Sequence, residues 1–308
     1  MQANGQPPPN LPLVRGRDQE RGGAKPQETS GVATQVKLDG KVAVITGTSS
    51  NIGGGIAEVM ATDGATIVCV DINPENAADC AGAIEKAGGR AMAASCDVTD
   101  EAQVKSVVAR ACETYRGIDI LVNGAAIFNQ KGVLDMPLAE WERQIAIILT
   151  GTFLFTKYVA QSMIEQKRKG AIINIISSAG HQGQPNNVAY CTSKCGLLNF
   201  TRSVAMELAQ YGIRVNSLTP TATDPSEGLE RAMRWGRKVT NADRIKQGFE
   251  PFRKRTPMQK LPSPRHYGRA AVFLASDDSE MMTGMDLRVD AGTVARYWAW
   301  DPAEAART

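Results

Sequence analysis

Between Lys41 and Asp71 the chain spells a short apolar run, a glycine cluster, a helical pattern, a second apolar run and an acid. The first run, 41–46 (KVAVIT), is continuously apolar rather than alternating, as expected of a strand covered on both faces in a parallel sheet. Gly47, Ser50, Asn51, Ile52 and Gly53 follow as a turn, and a helical pattern occupies 56–63. The second run, 66–70 (TIVCV), ends on Asp71, 24 residues after Gly47. This order suits a dinucleotide. Glycines let the backbone approach a pyrophosphate, the helix N-terminus receives it, and the acid accepts bonds from ribose hydroxyls. An acid there repels a 2′-phosphate, and neither 48–50 nor 72–73 offers an Arg or Lys, so NAD(H) is expected over NADP(H). The plainer alternative for Asp71 is a strand-end acid capping its own turn.

The alternation continues. Helical patterns over 75–87, 101–115, 140–168, 190–210 and 264–275 separate strand patterns at 90–96, 118–122, 171–176, 213–218 and 286–289. Seven strands and six helices predict an α/β fold: one doubly wound parallel sheet with helices on both faces. Residues 37–293 form that domain, with 1–36 a disordered extension rich in Pro, Gly and Gln, and 294–308 a tail. One stretch before the last helix, 221–265, has no strand pattern and reads as a lid. It carries eleven Lys/Arg against five Asp/Glu, and Leu229, Ala232, Met233 and Gly236 give it one short helix. Its arginines either attract an anionic substrate or form a solvated basic surface, the second being the simpler expectation.

A net charge of +3 gives no support for a nucleic-acid partner. No apolar run approaches the roughly 18 residues of a membrane span. The N-terminus lacks a signal-peptide core. The six cysteines show neither CxxC nor zinc spacing, so no metal is expected, and reduced, mostly buried thiols in a cytoplasmic protein are. The tail places three aromatics within Tyr297–Trp300, which either pack on a neighbouring subunit or close a pocket.

The chemistry concentrates at Tyr190 and Lys194, four apart on one helix, with Ser177 thirteen residues before the tyrosine. An ammonium beside a phenol favours the phenolate, and a phenol so tuned can exchange a proton with an alcohol oxygen. Ser177 can hold that oxygen. A bare Tyr-x-x-x-Lys is also an ordinary helix surface pair. His181 and Gln182 follow the serine loop and could line a pocket, whereas His266 starts the last helix and reads as structural.

Taken together, these residues resemble the short-chain dehydrogenase/reductase family over about 37–293. Thr46-Gly47-x-x-x-Asn51-x-Gly53 resembles the family's cofactor turn, Asp97-Val98 its adenine-contacting pair, and Asn123-Gly124-Ala125-Ala126 its NNAG segment. Ser177, Tyr190 and Lys194 match its catalytic trio, and Asp290-Ala291-Gly292 its closing turn. The resemblance implies a Rossmann-type fold, an NAD cofactor and reversible oxidation of a secondary alcohol, with Tyr190 as general acid/base. Gly47, Ser50, Asn51, Ile52, Gly53, Asp71, Asp97, Val98, Asn123, Ala125, Tyr190, Lys194, Pro220 and Thr223 are then the cofactor contacts. It also implies a homotetramer.

Four departures stand out. Asn51 replaces a glycine, which asparagine can do because it tolerates a left-handed backbone. Gly124 and Ala126 soften the NNAG segment. Thr221 replaces the glycine after Pro220, and Pro225 stands where a threonine is common. Ile148 occupies the place of a helix asparagine that helps hold a water in a proton relay to the lysine, so that relay is expected to be rerouted. A weakly catalytic NAD(H)-binding sensor and a 3-oxoacyl-type carbonyl reductase are the alternatives. Substrate identity is not written in these motifs.

Overall fold

β1 (Val42–Thr46) is buried along its whole length. Ala43 and Ile45 join one apolar cluster while Val42 and Val44 join another, so the strand is covered on both faces and reads as apolar throughout. β2 (Thr66–Asp71) divides in the same way, with Ile67 and Cys69 on one side and Val68 and Val70 on the other. β3 (Arg90–Ser95), β4 (Ile120–Asn123), β5 (Gly170–Ile175), β6 (Ile213–Pro220) and β7 (Asp286–Val289) complete an all-parallel sheet ordered β3-β2-β1-β4-β5-β6-β7. The computed structural model describes residues 36–297 and 299–301, so the expected N-terminal extension lies, but for residue 36, outside the described residues.

The helices are α1 (Ile52–Thr62), α2 (Pro74–Lys86), α3 (Glu101–Tyr115), α4 (Leu138–Ile145), α5 (Gly151–Glu165), α6 (Val188–Leu208), α7 (Pro225–Arg234), α8 (Ala242–Arg255) and α9 (Pro264–Ala275). α1, α2 and α9 cover one face; α3, α5 and part of α6 cover the other. His266 closes a capping box at the start of α9, its Nδ1 accepting from the Ser263 amide at 2.9 Å, a structural task.

Three differences from the sequence reading have physical causes. The long helix expected over 140–168 is interrupted by a π turn, Ala146–Thr150. From Leu138 to Glu165 that composite helix is long and apolar enough to cross a membrane, contrary to the expectation of no such run, but 56% of its most apolar stretch is buried inside the protein. The lid contains two helices rather than one. α8 buries no residue, so no apolar periodicity marks it. Of the cysteines, Cys69, Cys80 and Cys96 are buried, Cys112 and Cys191 half-buried and Cys195 exposed, so burial holds for half of them.

Candidate active site

β1 and β4 are neighbours from which the chain winds off in opposite directions, and their C-terminal ends form the crevice where open α/β sheets bind ligands. Thr46 stitches this point: its Oγ1 accepts from the Gly124 amide at 3.0 Å and the Ala125 amide at 3.2 Å. Gly47 turns at φ +79°, where a Cβ would lie 3.0 Å from the Ala125 backbone. At Gly53 a Cβ would fall 2.0 Å from the Gly47 carbonyl oxygen, so no side chain fits. Asn51 does not take the left-handed backbone expected of it: its φ is −93°, and the positive φ of this turn falls on Gly47. Asn51 also gives α1 no side-chain cap, which leaves the leading amides of that helix, those of Ile52 and Gly53 among them, uncapped.

Asp71 ends β2 and is buried. Its Oδ1 accepts from the Asn73 amide at 3.0 Å and from Asn76 Nδ2 at 3.1 Å, whereas Oδ2 has no partner among the described residues. The acid therefore caps its turn with one oxygen and offers the other. An uncapped helix start, a glycine turn free of side chains and an available carboxylate oxygen fit a dinucleotide.

Three expected contacts have other duties. Asp97 uses Oδ1 to cap its own turn, accepting from the Thr99 amide and hydroxyl at 2.9 and 2.7 Å. Val98 packs where a Cβ on Gly151 would come within 2.6 Å of it. Asn123 is buried, its amide donating to Thr156 Oγ1 at 3.1 Å and Asn174 Oδ1 at 2.9 Å, so its side chain ties β4 to β5 and α5.

Ser177 leaves the end of β5 in extended backbone, its Oγ accepting from the Ala179 amide at 3.2 Å. Gly180 lets this loop press on α6, for a Cβ there would lie 2.8 Å from the Lys194 carbonyl oxygen. The structure brings all three candidates together. Ser177 is hydrogen-bonded to the Tyr190 phenol, and Lys194 Nζ sits 5.6 Å from the Tyr190 ring centroid. Lys194 is 2% exposed and donates to the Ile175 carbonyl at 2.6 Å.

The electrostatics differ from the sequence expectation. Burial pushes the Tyr190 phenol above its usual range, and the Ser177 bond only partly offsets it. Burial also pushes the Lys194 amine down to about 7. Helical spacing gives the pairing but not the desolvation, which here dominates.

Ile148 lies inside the π turn, fully buried with Ile176 and Leu197, and Tyr190 packs against this cluster. Phe128, which no sequence signal marked, is 64% exposed with its ring 5.7 Å from that of Tyr190. His181 turns away from the expected pocket: its Nε2 lies 3.1 Å from Thr219 Oγ1 and 3.2 Å from Asp286 Oδ2, fastening the serine loop to β6 and β7. Pro220 ends β6. Thr221 Oγ1 meets Ser178 Oγ at 3.2 Å, and the buried Thr223 bonds Tyr267 at 3.2 Å, so this strand end supports the serine loop.

The lid arginines are neither free for an anion nor solvated. Arg231, 2% exposed, donates to the Ser50 carbonyl at 2.9 Å and to Glu227 at 2.8 Å, and lies 3.0 Å from Glu58. Arg234 reaches Glu58 at 3.0 Å, and Arg237 reaches Asp79 at 2.6 Å. They pin α7 and the chain after it onto α1, α2 and the glycine turn, a pairing that a charge count along the sequence does not reveal.

A family model described as enoyl-(acyl carrier protein) reductase matches residues 47–294. The chain is 36% identical to D-threitol dehydrogenase of Mycolicibacterium smegmatis, over 83% of this chain and 94% of that protein. It is 38% identical to (−)-isopiperitenol/(−)-carveol dehydrogenase of Mentha piperita, over 85% of this chain and 96% of that protein. The crystal structure of a short-chain type dehydrogenase/reductase from Mycobacterium marinum superposes with a TM-score of 0.74 at 31% identity, covering 85% of this chain and 98% of that one.

Proposed function

The chain belongs to the short-chain dehydrogenase/reductase family of oxidoreductases, and from that premise we propose that it interconverts a secondary alcohol and its ketone with NAD(H). The observation that carries this reading is Ser177 bonded to the Tyr190 phenol above a buried Lys194, at the same sheet edge as the glycine turn. β5 is two strands from β1, about 10 Å across the sheet, so groups held at the two strand ends can meet.

Gly47, the leading amides of α1 and Asp71 would hold the dinucleotide, whose nicotinamide supplies the hydride acceptor when bound. Ser177 orients the alcohol oxygen. Tyr190 Oη takes the proton from that oxygen, and a charged Lys194 below it steadies the phenolate so formed. With the phenol pushed up by burial, proton uptake by Tyr190 needs a lysine that is charged, and an amine near 7 can gain or lose its proton in the working range. Asp71 favours NAD over NADP because its available oxygen suits a ribose hydroxyl and repels a phosphate. Phe128, exposed beside Tyr190, offers an apolar wall to the substrate. The assembly proposed is a homotetramer.

The test is a paired fluorescence titration of NADH and NADPH, followed by a panel of secondary alcohols with NAD read at 340 nm. Expected are tighter NADH binding and a turnover that Tyr190→Phe lowers by at least 100-fold. Preference for NADPH would instead favour ketone reduction, the chemistry in the description of the matching family model. Tight NADH without turnover on any alcohol would leave a binding protein.

A further inference from the structure

The last of the three lid arginines reaches the acid that ends β2 through a single side chain. Arg237 Nη1 donates to Asn76 Oδ1 at 2.7 Å, and Asn76 Nδ2 donates to Asp71 Oδ1 at 3.1 Å. The remaining guanidinium nitrogens are held by one oxygen of Asp79, Nε at 2.8 Å and Nη2 at 2.6 Å, and the guanidinium lies 5.2 Å from the Trp235 ring centroid. Arginine can only donate hydrogen bonds. Its presence therefore forces the Asn76 carboxamide to turn its oxygen toward the lid and its NH2 toward Asp71. The opposite rotamer would set oxygen against guanidinium nitrogen satisfactorily nowhere, and would face a carboxylate oxygen with another acceptor.

We infer that Arg237 is a positioning residue for the dinucleotide site: by fixing the orientation of the Asn76 amide it occupies Asp71 Oδ1 and keeps Oδ2 turned toward a ribose. The inference rests on the dinucleotide reading above. It makes the lid, usually read as a substrate cover, a third support of the cofactor site, acting from 161 residues away in sequence. A positively charged group is thereby brought near the ribose-binding acid by a segment outside the turns that flank it. Its charge is matched by Asp79 and so does not recruit a phosphate.

Isothermal calorimetry with ADP-ribose, which carries the adenosine ribose and lacks the nicotinamide, tests this on the full chain. Arg237→Met is expected to weaken ADP-ribose binding roughly three- to tenfold, and Arg237→Lys, which retains a donor, by less. Arg234→Met, which loses a lid ion pair to Glu58 without touching Asn76, should bind within about twofold of wild type. In an Asn76→Ala background the effect of Arg237→Met should vanish, because the two residues act as one unit. Unchanged binding by Arg237→Met, or a loss that persists undiminished in Asn76→Ala, overturns the inference. Should Arg237→Met fail to fold by its melting curve, Asn76→Ala alone decides: wild-type affinity overturns the inference, and a matching loss supports it. If wild-type protein binds neither ADP-ribose nor NADH, the dinucleotide reading fails and this inference falls with it.

Discussion

Lys194 carries an electrostatic cost that the fold sustains for its position under Tyr190. The amine is 2% exposed, and burial brings its pKa from the usual 10.5 down to about 7. A depressed folded-state value means that the unfolded chain binds the extra proton between those limits. Stability therefore rises with pH through the window from about 7 to 10.5, and this contribution is lost as pH falls to the lower limit. Lys194→Met removes the term. The variant should have its largest stability advantage over wild type near pH 6, shrinking by on the order of 4 kcal/mol by pH 10. Thermal melts of both proteins at pH 6, 8 and 10 measure it, and a difference independent of pH would reject the account. Ser177, Tyr190 and Lys194 were legible as a unit because helical spacing and strand ends are local features. The sign of the Tyr190 shift was not, because burial is set by Ile148, Ile176 and Leu197, which are scattered through the chain. Asn51 shows the same limit: which residue of a turn takes the positive φ is decided by its neighbours, here the backbone of Ala125 against Gly47.

At the scale of elements, two helical glycines separate packing from propensity. Gly82 lies within α2, and a Cβ there would meet nothing within 4 Å. Gly55 lies within α1, where a Cβ would come within 2.3 Å of Pro264 Cβ at the start of α9. Gly82→Ala should stabilise the protein by about 0.5–1 kcal/mol, since alanine restricts the unfolded chain and suits a helix. Gly55→Ala should cost about 1–3 kcal/mol, because α1 and α9 must separate to admit the methyl group. Urea unfolding of both variants checks the pair, and equal effects would mean that the α1–α9 contact is looser than its geometry. The lid marks where element reading stopped. α7 was visible through its few apolar positions, but α8 buries nothing and so left no periodic trace. The partners of Arg231, Arg234 and Arg237 lie on α1 and α2, so charge along the lid could not tell a pinned segment from a solvated one.

For the whole molecule, the strand count follows from seven apolar runs, and parallel pairing follows from the helices between them. The same sheet sets the last prediction. β1 to β3 form one wing and β4 to β7 the other, joined by the β1–β4 pairing and by the Thr46 bonds to Gly124 and Ala125. Each apolar cluster takes residues from both wings: Ile45 packs in the same cluster as Ile173 and Leu218, and Val44 in the same cluster as Ile172 and Val215. Neither wing can open without exposing the core of the other, so the domain should melt in one transition. A dinucleotide seated at the junction should then move that whole transition. At 100 times its dissociation constant NADH contributes about 2.7 kcal/mol, or about 5–10 °C in Tm for a domain of this size. NADPH at the same concentration should give a smaller shift, and Asp71→Ala should narrow the gap between the two, because that carboxylate is the source of the discrimination. Differential scanning calorimetry distinguishes the outcomes. One peak displaced by NADH supports a shared core with the cofactor at its seam. Two peaks of which only the first moves would mean that the β1–β3 wing unfolds alone, and equal shifts with both nucleotides would remove Asp71 from cofactor choice.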